Sequence, residues 1–357
     1  MYFIGIDLGT SAVKLLLMDE EGVIKKTVSR EYPVIFPKPG WSEQNPEDWY
    51  EQTKDGLREL IADIDKKEVK GIGFGGQMHG LVVLDKDDMV IRPTILWNDG
   101  RTARETDYLN EEIGKDKLSE YTANIAFAGF TAPKILWMKK HEPENFNRIS
   151  KLMLPKDYIA YKLTGVHCTD PSDASGTLLY DVKNKKWSKE MMDICEVREE
   201  QLPTVYESYQ VVGRIRDEIA EEFGLSKDVK VVAGAGDNAA AAVGTGTVGD
   251  GKCNVSLGTS GTIFISSKKF GVDKNNALHS FAHADGNYHL MGVVLSAASC
   301  NKWWMEDILR TSDFDGEQKN IKKLGKNRVY FLPYLMGERS PHNDPDARAM
   351  FIGMSME

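Results

Sequence analysis

DLGTS at residues 7–11 and SLGTS at residues 256–260 are one pentapeptide written twice, each closing an apolar, strand-like run and opening another. In full, FIGIDLGTSAVKLLLM fills 3–18 and KCNVSLGTSGTIFIS fills 252–266. Strand, glycine-containing turn, strand is the pattern of a β-hairpin. The first glycines of the two copies stand at 9 and 258, a separation far wider than a solenoid period of roughly 20–50 residues. That separation is the length of a domain, so the plain reading is one hairpin per domain. A chain of 357 residues, at about 150 residues per domain, is expected to hold two. The glycine-rich GTGTVGDG of 244–251 is the candidate linker, which divides the chain into 1–245 and 246–357.

With 41% hydrophobic and 28% charged residues, the composition is that of an ordinary globular protein. The net charge of −9, from 45 basic and 54 acidic residues, argues against a nucleic-acid surface. Any phosphate-bearing partner must therefore be held locally. Cys168, Cys195, Cys253 and Cys300 show no CxxC pair, which points to reduced thiols in a cytoplasmic protein. The opening MYFIGIDLGT lacks the basic flank and cleavage site of a signal peptide. No window approaches the ~18 uninterrupted apolar residues of a membrane span, so no membrane partner is expected. A homodimer is left open.

Strands are expected at 3–6, 13–18, 69–74, 81–84 and 230–235. Asn45, Pro46, Glu47 and Asp48 read as cap, first-turn proline and two acids at the positive end of a helix dipole. Residues 101–161 read as mostly helical, and a short small-residue helix is expected at 238–243. Two GxGxxG matches, 71–76 and 244–249, are rejected as dinucleotide sites, because neither follows a strand and opens a helix. There is no GxxxxGK[ST] either.

The DLGTS turn offers another phosphate cradle. Gly9 lets backbone approach closely, and the amides and hydroxyls of Thr10 and Ser11 can donate to phosphate oxygens. Asp7 would repel bare phosphate but suits an intervening Mg²⁺, held through water and phosphate oxygens. A tight hairpin whose amides satisfy Asp7 explains the same residues when that copy is taken alone. The second copy shifts the balance: Ser256 replaces the acid, leaving residues 256–261 as a pure donor set. Asp237, after a strand and at a helix start, is placed either to cap that helix or to accept a proton from a substrate hydroxyl. His79, within GQMHG at 76–80, can bond a sugar hydroxyl or serve as a structural histidine, and Trp97 can lie against a sugar's CH face or in the core.

DLGTSAVK at 7–14, GQMHG, ILWNDGR at 95–101, GFTAPKILWMKKH at 129–141, LPKDY at 154–158, SDASGT at 172–177, GAGDNAAAAVG at 234–244, SLGTSG and FLPYLMGERSPHNDP at 331–345 together resemble the FGGY carbohydrate kinases, in order and almost end to end. GQMHG most resembles the members that phosphorylate D-xylulose. The resemblance implies an α/β fold of duplicated ribonuclease H-like domains, as in actin and Hsp70, with ATP and sugar meeting in the cleft between them. The first domain would bind sugar and the second ATP. The LGTS copies become the two phosphate-binding hairpins: Gly9, Thr10 and Ser11 with Lys14 nearby, and Gly258, Thr259, Ser260 and Gly261. Asp237 matches the catalytic base and Asp7 the acid near Mg²⁺. Gln77, Met78, His79, Trp97 and Asn238 fall at sugar-contacting positions. Family members run on beyond the AMFIGMSME of 349–357, so the second domain is expected to be incomplete and some apolar surface uncovered. The implied reaction is ATP-dependent phosphorylation of D-xylulose; the alternatives are another ketose or polyol, or a sugar-binding chain without turnover.

Overall fold

The computed structural model describes residues 1–319, 321, 328–344 and 346–355. Pro345 and the last two residues, which the motif reading used, lie outside them. The first hairpin is made by β1 (Tyr2–Leu8) and β2 (Ala12–Asp19), paired antiparallel from Tyr2↔Asp19 to Leu8↔Val13. Alternation fixes which side faces inward: Ile4, Ile6, Leu8, Val13, Leu15 and Leu17 are all buried. β3 (Ile24–Glu31) continues the meander beyond β2. On the other edge of β1 lies β4 (Val69–Gly76), parallel to it, with Asp7 opposite Gly75. Then come β5 (Val211–Arg214), β6 (Lys230–Val232) and the short β7 (Ala235–Gly236), giving the order β5-β6-β4-β1-β2-β3, with β7 beside the end of β4. This is the ribonuclease H-like sheet that the resemblance implies.

α1 (Pro46–Leu60) crosses from β3 back to β4. Its start is the one read from the sequence: the Asn45 side chain accepts the Glu47 amide at 3.3 Å, and Trp49, Leu57 and Leu60 pack fully buried against the sheet. The region 101–161 is mostly helical as expected, and it includes α2 (Thr131–His141) and the start of α3 (Pro155–Thr164). α4 (Asp237–Gly244) follows β7 at once. The segment 244–251 turns through left-handed Gly246, Gly249 and Gly251, but it is tied down: Gly249 donates to Asp285 at 2.9 Å and Gly251 to the Ser266 carbonyl at 2.9 Å.

The second sheet has four antiparallel strands: β8 (Cys253–Leu257), β9 (Gly261–Ser267), β10 (His279–Ala282) and β11 (Tyr288–Val294), in the order β8-β9-β11-β10. β8 and β9 form a second hairpin like β1–β2 but one residue tighter, with Leu257 opposite Gly261 where Leu8 stands opposite Val13. No strand lies on the outer edge of β8 among the described residues, where β1 has β4. The sheet is bound to the first lobe through β10, whose Ser280 exchanges two hydrogen bonds with Asn124 (2.8 and 3.0 Å). Phe264, Phe281 and Met291 join the same core as Met78 and Phe130. Its other face is open: Val255, Leu257, Ile263 and Ile265 are exposed. The four cysteines are free, and no helix among the described residues is long and apolar enough to cross a membrane.

Candidate active site

Two carboxylates flank the carboxyl end of β4. Asp7 is carried by β1 on one side and Asp237 follows β7 on the other, since Asp7 pairs with Gly75 while Ala235 and Gly236 pair with Gly75 and Gly76. With strands ~4.8 Å apart, their backbones stand roughly 10 Å apart across one intervening strand. Gly75 makes the approach feasible: a Cβ there would lie 3.2 Å from the Ala240 Cβ and 3.7 Å from the Asp7 carboxylate. Asp237 Oδ1 accepts both the backbone amide (2.7 Å) and the side-chain amide (2.8 Å) of Asn238. Asn238 thus orients the acid, and Oδ2 has no protein partner among the described residues. Burial pushes the Asp237 pKa up to about 6, against the Asn238 hydrogen bonds and with help from Asp7. Asp7 is itself raised by partial burial, offset by Lys14, its cross-strand neighbour. A carboxylate poised near neutrality with a free oxygen has the properties of a general base.

Beside Asp237 lies Met78, whose sulfur would sit 2.9 Å from any Cβ on Gly236. The next residue, His79, is left-handed at φ 70°, a conformation costing a non-glycine residue about 1–3 kcal/mol. Its carbonyl is held by Thr131 Oγ1 at 3.1 Å and Lys134 Nζ at 2.9 Å. Lys134, which also donates to the Gly129 carbonyl, is fully buried, and burial lowers its pKa to about 7. The His79 ring stacks on Phe130 at 4.7 Å, and Nδ1 lies 2.7 Å from the Gly176 carbonyl. A carbonyl only accepts, so Nδ1 carries the proton and Nε2 is left as an acceptor. Burial lowers the ring's pKa to about 3, which keeps it neutral. Trp97 is 37% exposed rather than in the core, and its indole N–H donates to Thr10 Oγ1 at 2.9 Å.

In the first turn Gly9 donates to the Ala12 carbonyl at 3.0 Å, while the amides of Thr10 and Ser11 donate to no protein group among the described residues. In the second turn Gly258 donates to the Ser260 carbonyl at 2.9 Å, and the amides of Thr259 and Ser260 are likewise uncommitted. That turn is carried by α5 (Ala298–Trp303): Ala298 donates to the Gly258 carbonyl and Ala297 to that of Thr259, both at 2.9 Å. Gly261, at the start of β9, packs against Ala297. Lys14 is exposed. Among the described residues no hydrogen bond joins the second turn to Asp7 or Asp237. Gln77 has both ends of its amide engaged, with Thr10 Oγ1 and with Gln44, each at 3.1 Å.

Two supports were not read from the sequence. One is Lys134. The other is a buried cluster in which Lys156 Nζ meets Asp157 (2.6 Å), Asp170 (3.0 Å) and Asp173 (3.4 Å). Asp170 accepts from Ser172 Oγ at 2.6 Å, and Ser172 Oγ in turn accepts the amide of Gly236, immediately before Asp237, at 3.1 Å. Lys156 and Asp157 stand inside LPKDY and Asp173 inside SDASGT, while Asp170 lies just before that motif. No group of three or more metal-ligating side chains occurs among the described residues. Asp7 forms no ion pair there either, so its hard-oxygen carboxylate fits a cation that takes its remaining ligands from water and phosphate.

The chain matches the FGGY N-terminal domain over residues 2–244 and the FGGY C-terminal domain over 253–357. It is 42% identical to the xylulose kinase of Escherichia coli strain K12 over 356 residues, which is 99% of this chain and 73% of that protein. The crystal structure of a xylulose kinase from Brucella ovis superposes with a TM-score of 0.95 at 41% identity, covering 100% of this chain and 74% of that one. The gluconate kinase of Lactobacillus acidophilus superposes at 0.93 with 29% identity, covering 99% and 73%. Sheet order, paired turns and these matches lead to one conclusion: the chain belongs to the FGGY family of carbohydrate kinases.

Proposed function

We propose that the chain phosphorylates D-xylulose on its 5-hydroxyl with ATP, giving D-xylulose 5-phosphate and ADP. The observation that carries this reading is Asp237: a carboxylate with its pKa near 6 and one oxygen free, beside Met78 and His79. Oδ2 accepts the hydroxyl proton as the sugar oxygen attacks the γ-phosphorus in line, and the bond to the β-phosphate oxygen breaks. The neutral His79 accepts a hydrogen bond from a sugar hydroxyl at Nε2, Asn238 keeps the base oriented, and Trp97 offers its ring to the sugar's CH face. The uncommitted amides of Thr10 and Ser11 would hold phosphate from one side. Those of Thr259 and Ser260, with Gly258 and the close-packed Gly261, would hold it from the other, with Lys14 adding positive charge. Asp7 would hold Mg²⁺ through water; when bound, the ion neutralises phosphate charge. On this reading residues 1–245 are the sugar-binding lobe and 246–357 contribute the ATP side. The free thiols suit the cytoplasm, where ATP is supplied.

A coupled ADP-release assay over pentuloses, pentitols and gluconate tests the substrate. D-xylulose is expected to give the highest kcat/KM, and faster turnover of any other sugar removes it as the substrate. Calorimetry with sugar and ATP separately tests the chemistry: binding of sugar without ATP would make the chain a sugar-binding protein without turnover.

A further inference from the structure

A threonine hydroxyl has one proton to give. That of Thr10 goes to Gln77 Oε1 at 3.1 Å, while the oxygen receives the Trp97 indole N–H at 2.9 Å. Gln77 passes the connection on, donating from Nε2 to Gln44 Oε1 at 3.1 Å, and Gln44 Nε2 returns it to the Thr10 carbonyl at 2.7 Å. Three residues thus close a ring of hydrogen bonds around the tip of the first turn. Gln44 and Gln77 are buried at 1% and 3% exposure, and Trp49 fixes Gln44 Oε1 from behind at 3.1 Å. Removing any member therefore leaves buried polar groups unpaired. Two features stand at the margins of this ring. On one side are the free amides of Thr10 and Ser11; on the other are the half-open Trp97 ring and the peptide leading into Met78 and His79.

We infer that Thr10 and Gln77 are positioning residues that lock the sugar-facing Trp97 to the phosphate-facing turn, and that neither side chain is a ligand of phosphate or sugar. The inference rests on the kinase reading above. Phosphoryl transfer needs acceptor and donor aligned within a fraction of an ångström, and a displacement of ~1 Å costs about 10²-fold in rate. A rigid strut between the two binding surfaces meets that need. It also explains why the turn's hydroxyl is spent inside the protein while its amides are not.

The test is a mutant cycle on the full chain, read on whichever panel sugar the wild type prefers, with KM for sugar and for ATP, kcat, sugar binding by calorimetry and sugar-independent ATP hydrolysis. Thr10→Val keeps the shape and deletes both bonds, Thr10→Ser keeps both, and Trp97→Phe keeps a ring while deleting only the N–H. Thr10→Val and Trp97→Phe are each expected to lower kcat/KM for sugar about tenfold with KM for ATP within about twofold. They should also raise ATP hydrolysis relative to sugar phosphorylation. Thr10→Ser should stay within about threefold of wild type, and the double variant should be no worse than Thr10→Val, as for one shared interaction. A rise in KM for ATP with sugar parameters unchanged would make Thr10 a phosphate ligand and overturn the strut. Multiplying effects in the double variant would overturn it equally. If Thr10→Val does not fold, an unaffected Trp97→Phe still refutes it. A preference for another sugar would sink the D-xylulose assignment and leave the cycle interpretable.

Discussion

The two LGTS turns share a sequence and a pair of uncommitted amides, but the first closes one residue wider, Leu8 pairing with Val13 where Leu257 pairs with Gly261, and their surroundings differ. In the first, Tyr32 donates its hydroxyl to the Gly9 carbonyl at 2.5 Å, Gln44 holds the Thr10 carbonyl, and Gln77 and Trp97 hold its hydroxyl. In the second, the carbonyls of Gly258 and Thr259 take backbone amides from the start of α5, and Ser299 Oγ adds one bond to Thr259 at 2.7 Å. The first turn follows a strand buried on both edges, β2 on one side and β4 on the other; the second follows β8, whose outer edge is open among the described residues. An acid stands at position 7 and a hydroxyl at position 256. Duplication therefore supplied the pair of free amides twice, whereas the surrounding core supplied charge and rigidity to one copy.

The sharpest way to break this comparison is to neutralise both equivalent positions. Asp7→Asn is expected to lower kcat by about 10²-fold or more, on the scale of a lost electrostatic contribution to the transition state, while Ser256→Ala changes it by less than about threefold. Steady-state kinetics of both variants checks this, and equal losses would make the turns equivalent. Backbone crowding offers a middle-sized test. A Cβ on Gly9 would sit 3.0 Å from the Ala12 carbonyl oxygen, against 3.6 Å from the Ser260 oxygen for Gly258. Gly9→Ala should cost about 1–3 kcal/mol by denaturant unfolding, and Gly258→Ala less than about 0.5 kcal/mol. Within the first turn the smallest effect is expected from Tyr32→Phe, which removes one hydrogen bond worth ~1 kcal/mol. Thermal unfolding should register that loss, with KM for ATP moving by no more than about threefold.

Much of this was legible in the chain. Period-2 alternation placed β1 and β2, the Asn-Pro-Glu-Asp run started α1, and the repeat itself announced two lobes. Asp237 was legible as either a helix cap or a base, and the resemblance to the kinase family assigned it to the base. What stayed hidden shares one physical cause: local pattern does not tell which charged or amide side chains the fold removes from water. Lys134 and Lys156 drew no reading of their own in the sequence and are fully buried. Gln77, expected as a sugar contact, and Gln44, which drew no reading, are hydrogen-bonded to each other across 33 residues. The union of the lobes through Asn124 and Ser280 spans 156 residues, a pairing no window of sequence contains.

The central claim is that Asp237 takes the proton from the sugar hydroxyl, and the pH dependence of kcat/KM for wild type and Asp237→Asn tests it most directly. With a pKa raised to about 6, the base is protonated and idle below that value and ionised above it. The wild-type rate should therefore fall tenfold per pH unit below ~6 and level off above. The variant should lose about 10²–10⁴-fold in kcat at pH 7.5, together with that acid limb. A variant keeping more than about a tenth of wild-type kcat, or keeping the same acid limb, would contradict the account.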